Sequence, residues 1–297
     1  MKSKQSYTLL AALLAASPLA AQDATETEGA SEIGIQQVVE THTGPSASAG
    51  YQFQFIYRDN PFYVDAPPTD SAESRVMLHT FMGTVSLNDA DSGNFLNDNT
   101  FGVMHQLVRY QEDILESFDY DTTSAFWKAN INKDIGNWQP SMGVGYTRIE
   151  ISEQNVDVFD GFFPYLALTK FYPDGDNSNY IATLKTSYGF TDIKGTSLDE
   201  ERLNAWTTSA SIAHNYTFNS QLGLKSKVHA DYSHYGEGSN SGRDDFILGA
   251  GTSLYYVINK YLVADLFADY TERFSSEDLY EYDNWDAGIK FSTMFQF

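Results

Sequence analysis

Apolar and polar side chains alternate along much of this chain, and the alternation is cleanest at its end. Trp285, Ala287, Ile289, Phe291, Thr293, Phe295 and Phe297 share one parity, while Asp286, Gly288, Lys290, Ser292 and Gln296 share the other. A strand sends successive side chains to opposite faces, whereas an amphipathic helix repeats about every 3.6 residues. The segment therefore reads as a strand with one apolar and one polar face. Tyr51, Phe53, Phe55 and Tyr57 alternate in the same way with Gln52, Gln54 and Ile56.

Reading back from Phe297, the pattern predicts strands over 284–297, 261–273, 245–258, 222–235, 203–218, 179–192, 161–172, 138–150, 122–133, 100–111, 73–87 and 49–58, twelve in all. Their joints alternate in kind. Asn259-Lys260, Asn219-Ser220-Gln221, 173–178 and 134–137 are short, whereas 236–244, 274–283, 193–202 and 151–160 are longer and rich in Asp, Glu, Ser and Gly. In 203–218, Trp206, Thr208, Ala210, Ile212 and Tyr216 oppose Thr207, Ser209, Ser211, Asn215 and Thr217. In 245–258, Phe246, Leu248, Ala250, Leu254, Tyr256 and Ile258 oppose Gly249, Gly251 and Ser253. Neither parity is cleanly polar around Met77, His79 and Phe81, or around Met104, Gln106 and Val108. A slip of one residue there would exchange the two faces.

Composition narrows the compartment. Lys2 and Lys4, an apolar stretch from Leu9 to Ala16, and then Pro18 to Ala21 follow the layout of a secretory signal peptide, with cleavage expected after Ala21. That apolar core is too short for a helix needing roughly 20 residues to span a bilayer. Residues 22–48, rich in Ala, Ser, Thr, Glu and Gly, read as a flexible periplasmic arm. A formal charge of −22 excludes a nucleic-acid partner, since phosphate binding needs Lys and Arg. The absence of cysteine excludes disulfides and thiolate chemistry.

Most of the predicted strands exceed ten residues. Soluble strands most often run about 5–6 residues, whereas a tilted strand crossing a bilayer needs about 9–11. Over residues 49–297 the long alternating strands, the unequal joints and the terminal aromatic resemble a bacterial outer-membrane β-barrel protein. This resemblance is to the class, without a subfamily. It implies an all-β, transmembrane, antiparallel up-and-down β-barrel of 12 strands in the outer membrane, with both termini periplasmic. The partners it implies are outer-membrane lipid, lipopolysaccharide and the barrel-assembly machinery, with Trp285, Phe291, Phe295 and Phe297 towards lipid.

The polar parity then lines the interior. Its charged members are Lys128, Lys185, Lys225, Lys227, His229, Asp231, Asp265, Asp269, Arg273, Asp286 and Lys290. Counting from level strand ends places Lys290 beside Asp269 and Asp286 beside Arg273. Acidic residues gather in the joints, as in Asp199, Glu200, Glu201 and in Glu277, Asp278, Glu281, Asp283, and an acidic mouth would favour cations. Twelve-stranded channels for acidic oligosaccharides line their pores with arginine, and the few inward arginines here speak against such sugars. The expectation is a porin-like passive channel for small neutral or cationic polar solutes. The alternative is a closed structural or surface-interaction barrel.

An enzyme is the least favoured reading. His229, Asp231 and Ser233 share a strand face, but same-face neighbours lie about 6.6–6.8 Å apart, and proton transfer needs about 2.6–3.2 Å. Outer-membrane lipid hydrolases carry a His-x-Ser pair, whereas the nearest approach here sets His234 five residues from Ser239. No cofactor and no metal site are expected, because no loop has the ligand spacing of a dedicated calcium site.

Overall fold

A computed structural model describes residues 45–60, 74–87, 95–112, 115, 119–133, 135–152, 156–194 and 203–297. The expected signal peptide and most of the expected arm lie outside these residues. The strands are β1 (Pro45–Arg58), β2 (Ser74–Leu87), β3 (Leu96–Tyr110), β4 (Tyr120–Ile131), β5 (Gln139–Ile151), β6 (Val156–Pro173), β7 (Ser178–Ile193), β8 (Ala205–Thr217), β9 (Leu222–Tyr235), β10 (Asp244–Asn259), β11 (Leu262–Ser275) and β12 (Tyr282–Gln296). Each pairs with its chain neighbours, and β1 pairs antiparallel with β12 to close the barrel. Closure leaves no sheet edge, so backbone donors and acceptors are satisfied without water.

The register is tied at its seam. Phe297 N donates to Ala47 O at 2.8 Å and Ala47 N donates to Phe297 O at 3.2 Å, so the last residue is held against β1. Residues 45–48, assigned to the arm from sequence, are the first part of β1 and pair with β2, and Ser48 also opposes Gln296 of β12. Alternation there is masked by small residues, Pro45-Ser46-Ala47-Ser48. β6 likewise begins inside an expected loop: Ile149 pairs with Phe159 and Glu150 with Asp157, so Val158 forms a bulge.

The two ends of the barrel differ. The end bearing Pro45 and Phe297 has short turns at 132–138, 174–177, 218–221 and 260–261 and is called the turn end. At Ile135 to Trp138 the central residues Gly136 and Asn137 have φ of 63° and 67°, the backbone twist that suits a two-residue hairpin. The other, or loop, end bears the connections that follow the odd-numbered strands.

The exposed apolar side chains lie on the outward parity: Phe81, Val103, Phe162, Leu184, Trp206, Ile212, Val228, Leu266, Trp285 and Phe295 among them. In β2 and β3, where the sequence left the faces open, Val76, Thr80, Met104 and Val108 are buried inward, and Phe81, Val103 and His105 point outward. Of these, Val76 and Val108 belong to an interior apolar cluster at the loop end, with Ile56, Tyr110 and Leu115 from the β3–β4 connection. A second cluster unites Ile149, Phe159, Phe163, Ile193, Leu203, Ala205 and Tyr235, and Tyr120 packs against both. Water is thus excluded from much of the wall at the loop end.

Candidate functional site: the barrel interior

All eleven charged residues assigned to the interior from sequence occupy the inward parity of β4, β7, β9, β11 and β12. Lys290 Nζ lies 3.7 Å from Asp265 Oδ1, and Asp265 also accepts a hydrogen bond from Ser253 Oγ at 2.9 Å. Lys290 and Asp269, and Asp286 and Arg273, expected as neighbours, do not stand opposite each other. In the actual register Asp265 opposes Lys290, Asp269 opposes Asp286 and Arg273 opposes Tyr282. The error is four residues and has a geometric cause. Strands of a closed barrel are tilted and staggered, so Leu262 pairs with Thr293 and residues 294–297 run past the start of β11.

Asp286 instead binds Arg58. Arg58 Nε and Nη2 donate to Asp286 at 2.9 and 2.7 Å, a two-pronged pair that couples β12 to β1 across the seam. Arg273 donates to Asp245 Oδ2, with Arg243 Nε 3.3 Å from the same oxygen. Ser275 Oγ donates to Asp245 Oδ1 at 2.6 Å. The guanidinium of Arg243 is sandwiched between the rings of Tyr235 and Tyr280, at 3.8 and 3.9 Å from their centroids. This group bridges the strands to the 3-10 turn Asp278–Tyr280 at the loop end.

Large inward side chains lie along the wall where the neighbouring strand has glycine. A Cβ on Gly223 would stand 2.2 Å from the Tyr255 ring, one on Gly249 2.0 Å from the His229 ring, and one on Gly251 1.9 Å from Asp269 Oδ1. Phe126 lies over Gly102 in the same manner. Such recesses hold bulky groups against the sheet instead of across the bore. Lys185 and Lys225 extend over Tyr165 and Tyr255, at 5.0 and 5.3 Å from the ring centroids.

The linear series on β9 does not assemble a catalytic unit. His229 Nε2 is 3.7 Å from Asp231 Oδ2, and Ser233 Oγ is bonded to Thr207 Oγ1 at 2.9 Å. His234 is on the outward face with Nδ1 2.8 Å from Asp244 Oδ1, while Ser239 sits in the separate turn Gly238–Asn240. Among the described residues no cluster of His, Cys, Asp or Glu is disposed to hold a metal ion.

Many of the described acids stand outside the bore. Arg148, on the outward parity, donates from Nε to Asp157 at 2.6 Å and has Glu150 at 3.5 Å. Lys194, just past β7, binds Asp160, whose carboxylate holds the ammonium above the usual lysine range. Asp244 is on the same outward rim, as are Glu272 and Asp283, which oppose each other on β11 and β12. Trp285, Phe291, Phe295 and Phe297 are exposed on the outward face.

Sequence reading missed Arg58, Asp98, Asp245 and Arg243. Arg58 shares parity with Gln52 and Gln54, and Asp245 with Gly249 and Gly251, so both were within reach of the pattern. Asp98, bonded to Asn130 Nδ2 at 3.2 Å, lies in a register shift of β3, and Arg243 lies in a loop. Periodicity cannot place either.

No family model matches the chain, and no curated protein sequence matches it. Among solved structures, an outer membrane channel from Pseudomonas putida F1 shares 8% identity over 86% of this chain and 96% of its own, with a TM-score of 0.51. The translocator domain of the autotransporter NalP from Neisseria meningitidis aligns over 98% of each chain at 14% identity and a TM-score of 0.43. The KdgM porin, solved in complex with disordered oligogalacturonate, aligns over 81% of this chain and 97% of its own at 12% identity and a TM-score of 0.41. The chain has the fold of a bacterial outer-membrane β-barrel.

Proposed function

We propose that the protein is an outer-membrane channel that lets small polar solutes cross by passive diffusion. The observation that carries this reading is the inverted barrel: an apolar exterior encloses an inward face of Lys, Asp, Gln, Ser and Thr, with the large inward side chains recessed over glycines. A twelve-stranded barrel is wider than the eight-stranded barrels whose interior side chains fill it, and narrower than a 16-stranded porin. Solute would meet the loop end, pass the charged interior and leave beside the chain termini. The signal peptide, outer-membrane lipid and lipopolysaccharide contacts, and delivery by the assembly machinery belong to the same reading.

A second reading has its own observation. The two apolar clusters and the Arg243 group close in on the loop end, which favours a shut barrel serving as a structural or surface-interaction element. Planar-bilayer recording of the full chain separates the two. Stable stepwise conductance supports the channel. A folded, inserted barrel without current at any voltage supports the shut barrel and overturns the channel.

A further inference from the structure

The formal charge of the chain is −22, yet the interior does not share it. We infer that the bore selects small anions, such as chloride, phosphate or simple carboxylates, and not cations; this rests on the channel reading above and names its solute class. The arrangement that carries it is a separation of charge by the barrel wall. Inward positions of β4 to β8 include Lys128 and Lys185 and no carboxylate, and β9 adds Lys225 and Lys227. These four lysines lie from mid-strand towards the turn end, well below the packed clusters. Among the described residues, inward carboxylates are confined to Asp98 near the turn end and to the wall from β9 to β12: Asp231, Asp245 and Asp265 are buried, with Asp245 held by Arg273 and Asp265 facing Lys290, Asp286 is held by Arg58, and Asp269, level with Lys227, is the exposed one of the five.

Among the described residues, a further set of acids lies outside the bore. Glu150, Asp157, Asp160, Asp192, Asp244 and Asp283 are on the outward parity or rim, several bound to Arg148 or Lys194. Exposed charges are screened over roughly 8 Å at physiological salt, whereas charges lining a confined, low-dielectric passage act with far less screening. The local field felt by a permeating ion is therefore set by the interior lysines and not by net charge.

The test is the reversal potential of the reconstituted full-length protein across a potassium chloride gradient. The expected result is a chloride-to-potassium permeability ratio above unity, brought below unity by combining Lys128→Gln, Lys185→Gln, Lys225→Gln and Lys227→Gln. Should that variant fail to fold, Lys128→Gln with Lys185→Gln alone is expected to lower the ratio, while Glu150→Gln with Asp157→Asn leaves it unchanged. Cation selectivity of the unaltered protein, or a ratio indifferent to the lysine changes, overturns the inference and leaves the channel standing. Absence of conductance overturns the channel reading and the inference with it.

Discussion

Replacing Asp245 with alanine is expected to destabilise the barrel by about 3–5 kcal/mol, the usual consequence of removing one partner from a buried ion pair. Asp245 is 1% exposed and lies against two buried arginines: Arg273 donates to its Oδ2, and Arg243 Nε is 3.3 Å from the same oxygen. Its loss leaves two cations together in a dry setting and removes the acceptor of the Ser275 hydroxyl. Asp245→Asn retains an acceptor oxygen and much of the shape, so a smaller loss is expected. Reversible denaturant unfolding in lipid or detergent measures both. A loss below about 1 kcal/mol for the alanine variant would mean that the group behaves as an exposed, hydrated pair.

The second large effect belongs to the outer face. Val228→Arg, at mid-strand in β9 and 54% exposed, is expected to cost about 2–4 kcal/mol, the range for a basic residue at the bilayer midplane of such barrels. The same unfolding measurement on Lys227→Arg, one residue away and facing inward, is expected to show little change. Equal costs at the two positions would contradict the assignment of faces. In a soluble sheet with Val228 exposed to water, the arginine would cost almost nothing.

Most of the barrel was legible because a strand in contact with hydrocarbon on one side and water on the other must alternate. β8, β10 and β12 alternate without interruption, and their faces are those read from sequence. In β2 and β3 the pattern blurs because the inward side is itself partly apolar, with Val76 and Val108 buried at the loop end and Met82 and Met104 buried at mid-strand. Periodicity reports a contrast between two environments, and there the contrast is lost.

The interior charges were legible one by one but not as pairs. Which residues face inward depends only on parity. Which of them meet depends on the stagger between strands, and a four-residue error turned the true Lys290–Asp265 contact into a false Lys290–Asp269 one. The expectation of a cation preference rested on acids in the joints, of which Asp199, Glu200 and Glu201 lie outside the described residues, while the described rim acids Asp157 and Asp244 face outward against Arg148 and His234. Net charge carries no information about the side of the wall on which it lies.

The native chain contains no cysteine, so single cysteines can be introduced one at a time along β10 and spin-labelled in the reconstituted protein. Accessibility to membrane-dissolved oxygen against a water-soluble nickel chelate tests the central claim most directly. Labels at Leu248, Ala250, Leu254 and Tyr256 are expected to favour oxygen, and labels at Gly249, Gly251 and Ser253 the chelate, with a period of two. Oxygen-favouring labels on the Gly249 parity, or chelate access at Leu248 and Leu254, would contradict a barrel that meets lipid with its aromatic and aliphatic face.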